Sequence, residues 1–314
     1  MFLVILTIFA STLVASFLHN EPELVRKVVG GNISAHDAHP WFAGLRTLYN
    51  SHFYCGGTII GRRWILTAAH CLEDKDKIVV AVGIENRESD GRFSRTYEAE
   101  KVMIHEDYDK VLFHNDIALL KVSSSYREYV ITVIQTKERI AFNEQVDRIF
   151  LPLSDKVIPA GTNLTVVGMG KSGTRMAKHH FKTNEVLENS FTESPLNSPK
   201  HDRLQGQILE ANVALRSDEE CGKRISRFHP KITLCHQAGG TSACHGDSGG
   251  PFYAKVTRTA YGLRLESDFQ FGLMSYITKG SCESTTSSFS HRLHACQRLL
   301  RLDFREDRVR CQVS

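Results

Sequence analysis

Residues 64–71 read WILTAAHC, a short apolar run that ends in a histidine and a cysteine. Runs of similar length recur between Val28 and about Cys282: IVVAV at 78–82, IALL at 117–120, LTVV at 164–167 and FGLM at 271–274. They are rich in β-branched residues, are separated by Gly, Asn, Asp and Pro, and show no long helical periodicity, which is the pattern of buried strands. We therefore expect an all-β fold, either a sandwich or a barrel.

Composition sets wide limits on function. Of the 314 residues, 41% are hydrophobic, enough for one large domain or two small ones with a buried core. The net charge of +4 comes from 39 basic and 35 acidic residues, so charge alone indicates neither nucleic acid nor an anionic surface as a partner.

The N-terminus indicates a secretory signal peptide. Residues 1–16 are almost wholly apolar and end in the small residues Val14, Ala15 and Ser16. A membrane anchor is the alternative, but the apolar run before His19 is shorter than the roughly 20 residues that span a bilayer comfortably. We expect a secreted, extracellular protein without stable membrane insertion.

Eight cysteines follow, at positions 55, 71, 221, 235, 244, 282, 296 and 311. An even number of cysteines behind a signal peptide indicates disulfides formed in an oxidising compartment. Since none of them forms a CxxC pair, we expect no metal site, and we expect no cofactor either. The sequons that begin at Asn32 and Asn163 make these two asparagines candidates for N-glycosylation.

Two segments depart from the strand pattern. Residues 171–203 are polar and contain few apolar side chains, so we expect a long surface loop. Between Arg292 and Arg310, apolar residues recur at near-helical spacing with arginines between them, which predicts a C-terminal helix docked by one face. Binding of a heparin-like polyanion is an alternative role for this arginine-rich segment, but the acids within it favour a solvated helix face.

A serine between glycines is the first candidate for chemistry. Residues 246–251 read GDSGGP, where glycine permits a sharp turn that exposes the Ser248 hydroxyl and leaves backbone N–H groups to face an oxyanion. A purely structural turn is the alternative reading. Serine needs a base that is itself oriented by a carboxylate. His70, tethered by its neighbour Cys71, offers the base, and Asp116, at the head of the strand 117–120, offers the carboxylate.

These segments, in the order His70, Asp116, Ser248, resemble the trypsin/chymotrypsin family of serine endopeptidases. The resemblance rests on FYCGGTII at 53–60, WILTAAHC at 64–71, DIALL at 116–120, RLQ at 203–205 and ACHGDSGGP at 243–251. It implies an all-β fold of two six-stranded antiparallel Greek-key β-barrels with the active site between them, plus the C-terminal helix. The protease domain would span residues 28–300, and residues 301–314 would form a C-terminal extension.

The resemblance also implies a role for each residue. His70 would accept the Ser248 proton during attack on the peptide carbonyl and return it to the leaving amine. Asp116 would fix the imidazole tautomer, with Ser275 hydrogen-bonded to its carboxylate. The backbone N–H groups of Gly246 and Ser248 would form the oxyanion hole. We expect a monomer whose partners are protein or peptide substrates, an activating protease and protease inhibitors, and no nucleic acid.

The same resemblance implies a zymogen. Residues 17–27 would be an activation propeptide cleaved after Lys27, and the new ammonium group of Val28 would form a buried ion pair with Asp247. A dibasic pair on a solvated tail is the alternative. The implied disulfides are Cys55–Cys71, Cys221–Cys235 and Cys244–Cys282. Cys296 and Cys311 have no implied partner: they may pair with each other or with another chain, or remain free.

The residues that would line the substrate pocket depart from the family pattern. The pocket floor falls at Ser242, where cleavage after Lys or Arg would require an acid, and walls that are usually glycine fall at Ile277 and Ser288. Tyr276, which follows Ser275, stands where tryptophan is usual. Because Ile277 should narrow the entrance, we expect a small aliphatic side chain before the cleaved bond. The alternative function is a homologue that has lost turnover and serves as a binding or regulatory protein.

Overall fold

The computed structural model describes residues 31–35, 37–50, 52–85, 94–125, 139–152, 158–169, 207–226, 228–236, 246–260, 263–277 and 288–292. Several of the expectations above lie outside these residues. They concern the signal peptide, the propeptide with Lys27 and Val28, the loop at 171–203, Ser242, the Cys244–Cys282 disulfide, Cys296, Cys311, the C-terminal helix and the extension after it.

Six strands close into a barrel in the first half of the chain. After a two-residue strand, β1 (Asn32–Ile33), these are β2 (Phe42–Thr47), β3 (Cys55–Gly61), β4 (Trp64–Thr67), β5 (Ile78–Val82), β6 (Arg95–Ile104) and β7 (Ala118–Ser125). All pairs are antiparallel, and the order around the barrel is β2-β3-β4-β7-β6-β5, with β5 returning to β2. Because β7 lies between β4 and β6, the connection is a Greek key.

The second half of the chain repeats this arrangement. Its strands are β8 (Asn163–Gly168), β9 (Leu209–Ala214), β10 (Thr233–His236), β11 (Pro251–Ala260), β12 (Leu263–Ile277) and β13 (Ser288–Arg292). They pair in the order β9-β8-β11-β12-β13-β10, and β1 adds to the edge of β9. An antiparallel bridge between Leu215 and His236 joins the end of β9 to β10. The six strands thereby close in the same order as the first barrel, which confirms the expected pair of barrels.

The apolar runs of the sequence form the interior of both barrels. Every residue of β4 and of β5 is buried, as expected for short continuous apolar runs in a closed sheet. One apolar cluster extends from the first barrel, with Trp41 and Leu119, to Val167 and Leu273 of the second. The two barrels therefore share a core at the place where they meet.

A short helix, α1 (Asp218–Arg224), braces the second barrel. A capping box starts it: the Glu220 N–H donates to the Ser217 hydroxyl, and the Ser217 N–H donates to the Glu220 carboxylate. The disulfide Cys221–Cys235 ties the helix to β10, and Cys55–Cys71 ties the start of β3 to the turn after β4, so both of these expected bridges are confirmed. No helix among the described residues is long and apolar enough to cross a membrane.

Candidate active site

The His70 imidazole lies on a short turn at the end of β4. The chain leaves the buried strand at Thr67 and forms a single 3-10 turn, Ala69–Cys71, whose last residue is held by the disulfide to Cys55. The backbone on both sides of the histidine is therefore fixed. The side chain of His70 is 21% exposed, so that one part of the ring meets solvent while the rest is enclosed.

The carboxylate of Asp116, immediately before β7, orients that imidazole. Its Oδ2 lies 2.8 Å from Nδ1 of His70, and its Oδ1 accepts the His70 backbone N–H at 2.9 Å. The Ser275 hydroxyl, on β12 of the second barrel, donates a third hydrogen bond to Oδ2. Three donors thus converge on one carboxylate that is 0% exposed.

These contacts keep Asp116 ionised. Burial would by itself raise the pKa of this carboxyl group, but the hydrogen bond and charge of His70, together with the Ser275 hydroxyl, hold the pKa below its ordinary value. Because an ionised carboxylate only accepts hydrogen bonds, Nδ1 of His70 is the donor. In the neutral imidazole, Nε2 then carries the lone pair and can act as a base.

The Ser248 turn is docked against the first barrel. Gly246 and Gly249 adopt φ values of 97° and 78°, which only glycine takes readily. The Gly56 N–H donates to the Ser248 carbonyl at 2.7 Å, and a Cβ on Gly249 would lie 2.3 Å from Oγ1 of Thr67. The turn from the second barrel is therefore wedged against β3 and against the strand that leads to His70.

Ser248 and His70 are not hydrogen-bonded to each other in the described part of the chain. Sγ of Cys71 lies 3.7 Å from Nε2 of His70. Catalytic hydrogen bonds are often long in structures without substrate and tighten when the substrate binds. The structure thus brings the histidine and aspartate into direct contact and the serine turn against the same barrel.

Asp247, next to the serine, is also completely buried. Its carboxylate packs directly on the end of β8, because a Cβ on Gly168 would lie only 2.1 Å from Oδ1 of Asp247. A carboxylate at such depth is stable only when it is paired or hydrogen-bonded. The glycine of β8 is therefore required for this side chain to occupy its position.

The wall residues expected from the sequence are neighbours in the sheet. Ile277 is the Cα partner of Ser288 across β12 and β13, and Tyr276 is the partner of Phe289. The Tyr276 ring lies 5.5 Å from that of Phe113, which in turn meets the His70 imidazole edge-on at 5.8 Å. Sequence reasoning missed Phe113.

The backbone of the Phe113 segment explains why it was missed. Phe113 and Asn115 have φ values of 56° and 52°, a left-handed conformation that is uncommon for residues other than glycine. The Asp109 carboxylate accepts the backbone N–H groups of Val111 and Leu112, which folds the segment back toward His70. The sequence offers only one signal, an aromatic residue three positions before Asp116.

A metal site and two glycosylation sites are the remaining candidates. Ligand atoms of Cys55, His70 and Cys71 lie within 4.8 Å of one another, but the two sulfurs form a disulfide and supply no thiolate for a metal. Asn32 and Asn163, the sequon asparagines, are both exposed.

Comparison with known proteins agrees with this geometry. A family model described as Trypsin matches residues 28–192 and 196–296. The chain is similar to the venom serine protease Bi-VSP of Bombus ignitus, with 31% identity over 264 residues, which cover 80% of this chain and 61% of that protein. It is also similar to tissue-type plasminogen activator of Homo sapiens, with 27% identity over 241 residues, 74% of this chain and 38% of the relative.

The chain thus spans less than two thirds of the length of either of these relatives. The family model, in contrast, extends over most of the chain and includes the segments that carry His70, Asp116 and Ser248. Together with the two barrels of identical strand order, this match establishes that the chain belongs to the trypsin family of serine endopeptidases.

Proposed function

We propose that the chain is a secreted serine endopeptidase, made as a zymogen, that cleaves peptide bonds through an acyl-enzyme on Ser248. The observation that carries this proposal is the hydrogen-bonded chain from Ser275 through Asp116 to Nδ1 of His70. Burial of a carboxylate costs folding free energy. The buried carboxylate of Asp116 holds the imidazole of His70 by Nδ1 and leaves the other nitrogen, Nε2, directed away from Asp116. That is the arrangement a general base requires.

In the proposed reaction, His70 transfers one proton in each of two half-reactions. The Ser248 Oγ attacks the peptide carbonyl while Nε2 of His70 takes the hydroxyl proton, giving a tetrahedral intermediate and an imidazolium paired with Asp116. The imidazolium then protonates the leaving nitrogen, and the C–N bond breaks to leave the acyl group on Oγ. Water then attacks the acyl carbon while Nε2 takes one of its protons, and the second tetrahedral intermediate forms. When the bond between the acyl carbon and Oγ breaks, the imidazolium returns the proton to Oγ, which regenerates Ser248 and releases the carboxylic acid.

The negative oxygen of the intermediate would be bound by the backbone N–H groups of Gly246 and Ser248. Within the described residues, neither N–H donates to a backbone carbonyl. The positive φ of Gly246 supports this role, because such a turn directs successive N–H groups to one side. Fixed donors of this kind stabilise charge without reorganising.

Activation by cleavage after Lys27 is supported by the buried carboxylate of Asp247. The new ammonium group of Val28 would bring the opposite charge to this carboxylate, and the pair would fix the adjacent Ser248 turn. The ammonium does not exist before cleavage, so the uncut chain is expected to be nearly inactive. The preceding segment, 17–27, contains no cysteine that could retain it afterwards.

Specificity is proposed to favour a small aliphatic side chain before the cleaved bond. Ser242 provides no negative charge for a Lys or Arg side chain. Ile277 and Ser288, the expected wall positions, are paired in register across β12 and β13. Protein substrates and protease inhibitors would enter the same cleft, with the chain acting as a monomer. Glycosylation at the exposed Asn32 and Asn163 would accompany secretion.

The test is active-site labelling of the full chain before and after cleavage at Lys27. A fluorophosphonate should label the cut wild type and neither the uncut chain nor the Ser248→Ala variant. Absence of labelling in the cut form, beside a protease that labels normally, would favour the binding or regulatory homologue. A peptide library then reads specificity, and preference for Lys or Arg would overturn the assignment made from Ser242.

A further inference from the structure

One end of the first barrel carries a row of basic residues that the proposed catalysis does not use. We define the cationic strip as Arg62, Lys101, Lys121 and Arg139. Lys121 on β7 is the direct cross-strand partner of Lys101 on β6. Like charges in this position destabilise a sheet unless something compensates them.

The other members of the strip follow from the neighbouring backbone contacts. The Val122 N–H donates to the Arg63 carbonyl at 2.9 Å, and the Ile140 N–H donates to the Arg62 carbonyl at 2.7 Å. Four chain segments therefore lie side by side, those of Arg139, Arg62, Lys121 and Lys101. At the usual strand spacing, the strip is about 15 Å long.

Two of the cations are held in place by aromatic rings. The Arg62 guanidinium lies 4.3 Å from the centre of the Phe142 ring and also donates to the Ile140 carbonyl at 3.2 Å. The Lys121 ammonium lies 5.9 Å from the Trp64 ring. Side chains that are already positioned lose less conformational entropy when they bind an anion.

Glu100, on β6, is the acid that directly precedes Lys101 in the sequence. Glu100 forms an ion pair with Arg63, so these two charges neutralise each other. In the part of the chain that the structure describes, Arg62, Lys101 and Lys121 form no ion pair. Among the described residues, Arg62, Lys101 and Lys121 therefore place positive charge side by side, in a chain whose basic and acidic residues otherwise nearly balance.

We propose that the cationic strip binds a linear sulfated polysaccharide of the extracellular space. A single row of fixed cations complements a flexible chain of sulfates. Nucleic acid is a poorer match, because proteins that bind it along a strand usually expose aromatic rings for base stacking, whereas Trp64 is 6% exposed beneath Lys121. The choice of a sulfated ligand rests on the proposed secretion, whereas the anion-binding site itself does not rest on the proposed catalysis.

The strip lies away from the catalytic residues. β7 begins just after Asp116 and reaches the strip at Lys121, so the two are separated by about 16 Å of extended strand. β4 runs in the opposite direction, from Trp64 beside the strip toward His70. A bound polysaccharide would retain the protein on a matrix and leave the cleft open.

The test measures the affinity of the full chain, carrying Ser248→Ala, for a heparin oligosaccharide. A strip variant, Arg62→Gln with Lys101→Gln and Lys121→Gln, should raise Kd by about tenfold or more and flatten its salt dependence, since each lost contact releases one counterion fewer. The matched control removes the same charge elsewhere, with Lys75→Gln, Lys231→Gln and Arg264→Gln, three exposed residues. It should bind almost as wild type does.

Single substitutions distinguish a loss of binding from misfolding of the strip variant. Lys101 and Lys75 are both exposed, so Lys101→Glu and Lys75→Glu should fold equally well, and only Lys101→Glu should weaken binding. The charge-conserving variant Arg62→Lys with Lys101→Arg and Lys121→Arg should retain it. Equal loss in strip and control variants, or no binding by the wild type at low salt, would overturn the proposal. Tighter binding to single-stranded DNA or to phosphatidylserine vesicles would also overturn it.

Discussion

At the level of single residues, Asp116 shows how a buried charge is stabilised. Its carboxylate is fully buried, accepts three hydrogen bonds and has a lowered pKa because His70 and Ser275 stabilise the ionised form against the cost of burial. Removing the Ser275 hydroxyl or the charge of Asp116 should therefore change how the His70 imidazole is held, in addition to any effect on folding.

We predict a graded loss of turnover from two substitutions at this carboxylate. Asp116→Asn should lower kcat by about four orders of magnitude, because the amide favours the wrong tautomer of His70. Ser275→Ala removes one donor and should lower kcat by about tenfold, the scale of a lost hydrogen bond to a charged group. Steady-state hydrolysis of a peptide ester by the cleaved protein checks both values. An equal effect of the two changes would contradict the assignment of Ser275 as a supporting group.

A second prediction concerns Gly168, which packs against the Asp247 carboxylate. Gly168→Ala would place a methyl group 2.1 Å from Oδ1 of Asp247, so the carboxylate must leave its position beside the Ser248 turn. We expect a lower fraction of titratable active sites after cleavage at Lys27. Gly222→Ala is the matched control, because its methyl group would meet only Cδ1 of Phe228 at 3.8 Å. Full titration of Gly168→Ala would show that Asp247 does not support the turn.

At the level of elements, the strands were predictable and the turns between them were not. The runs at 64–66, 78–82 and 164–167 became buried strands because a short apolar sequence has few other ways to leave water. The left-handed conformations of Phe113 and Asn115 depend on contacts with distant residues, which no local pattern records. For the same reason, the contact between Phe113 and His70 was not foreseen.

Helix α1 offers a prediction about local stability. Ser217→Ala should destabilise the protein by about 1 kcal/mol, because the capping box loses the hydroxyl that accepts the Glu220 N–H. The change should be less than additive with Glu220→Ala, since both residues serve the same cap. Urea unfolding measures the cycle. Lys223→Ala breaks an exposed ion pair with Glu219 and should cost less than about 0.5 kcal/mol.

At the level of the whole molecule, the two barrels have the same strand order although the sequence shows no repeat at a fixed period. Strand order is set by which runs are apolar and by the turns that separate them, and many different sequences satisfy that pattern. The resemblance of short segments around His70, Asp116 and Ser248 therefore predicted the pair of barrels better than any periodicity. At the junction of the barrels, close backbone approach at Gly56 and Gly249 adds to the shared apolar core.

A buried histidine at that junction links the stability of the whole molecule to pH. The side chain of His39 is 2% exposed and lies between Trp41 of the first barrel and Tyr253 of the second, with Nε2 2.7 Å from the Glu210 carboxylate. Burial lowers the pKa of His39, and Lys255 lowers it further, while Glu210 and Asp268 only partly offset the effect. The folded protein therefore holds this proton less tightly than the unfolded chain does.

This difference in proton affinity makes the folded protein less stable at acidic pH. Above the unfolded pKa of about 6.5, His39 is neutral in both states and the stability is complete. As the pH falls below that value, the unfolded chain takes up the proton first, and stability is lost by up to about 1.4 kcal/mol per pH unit. We predict that His39→Gln, compared with wild type by urea unfolding at pH 7.5 and 5.5, removes this part of the loss. An identical dependence in wild type and His39→Gln would refute the prediction.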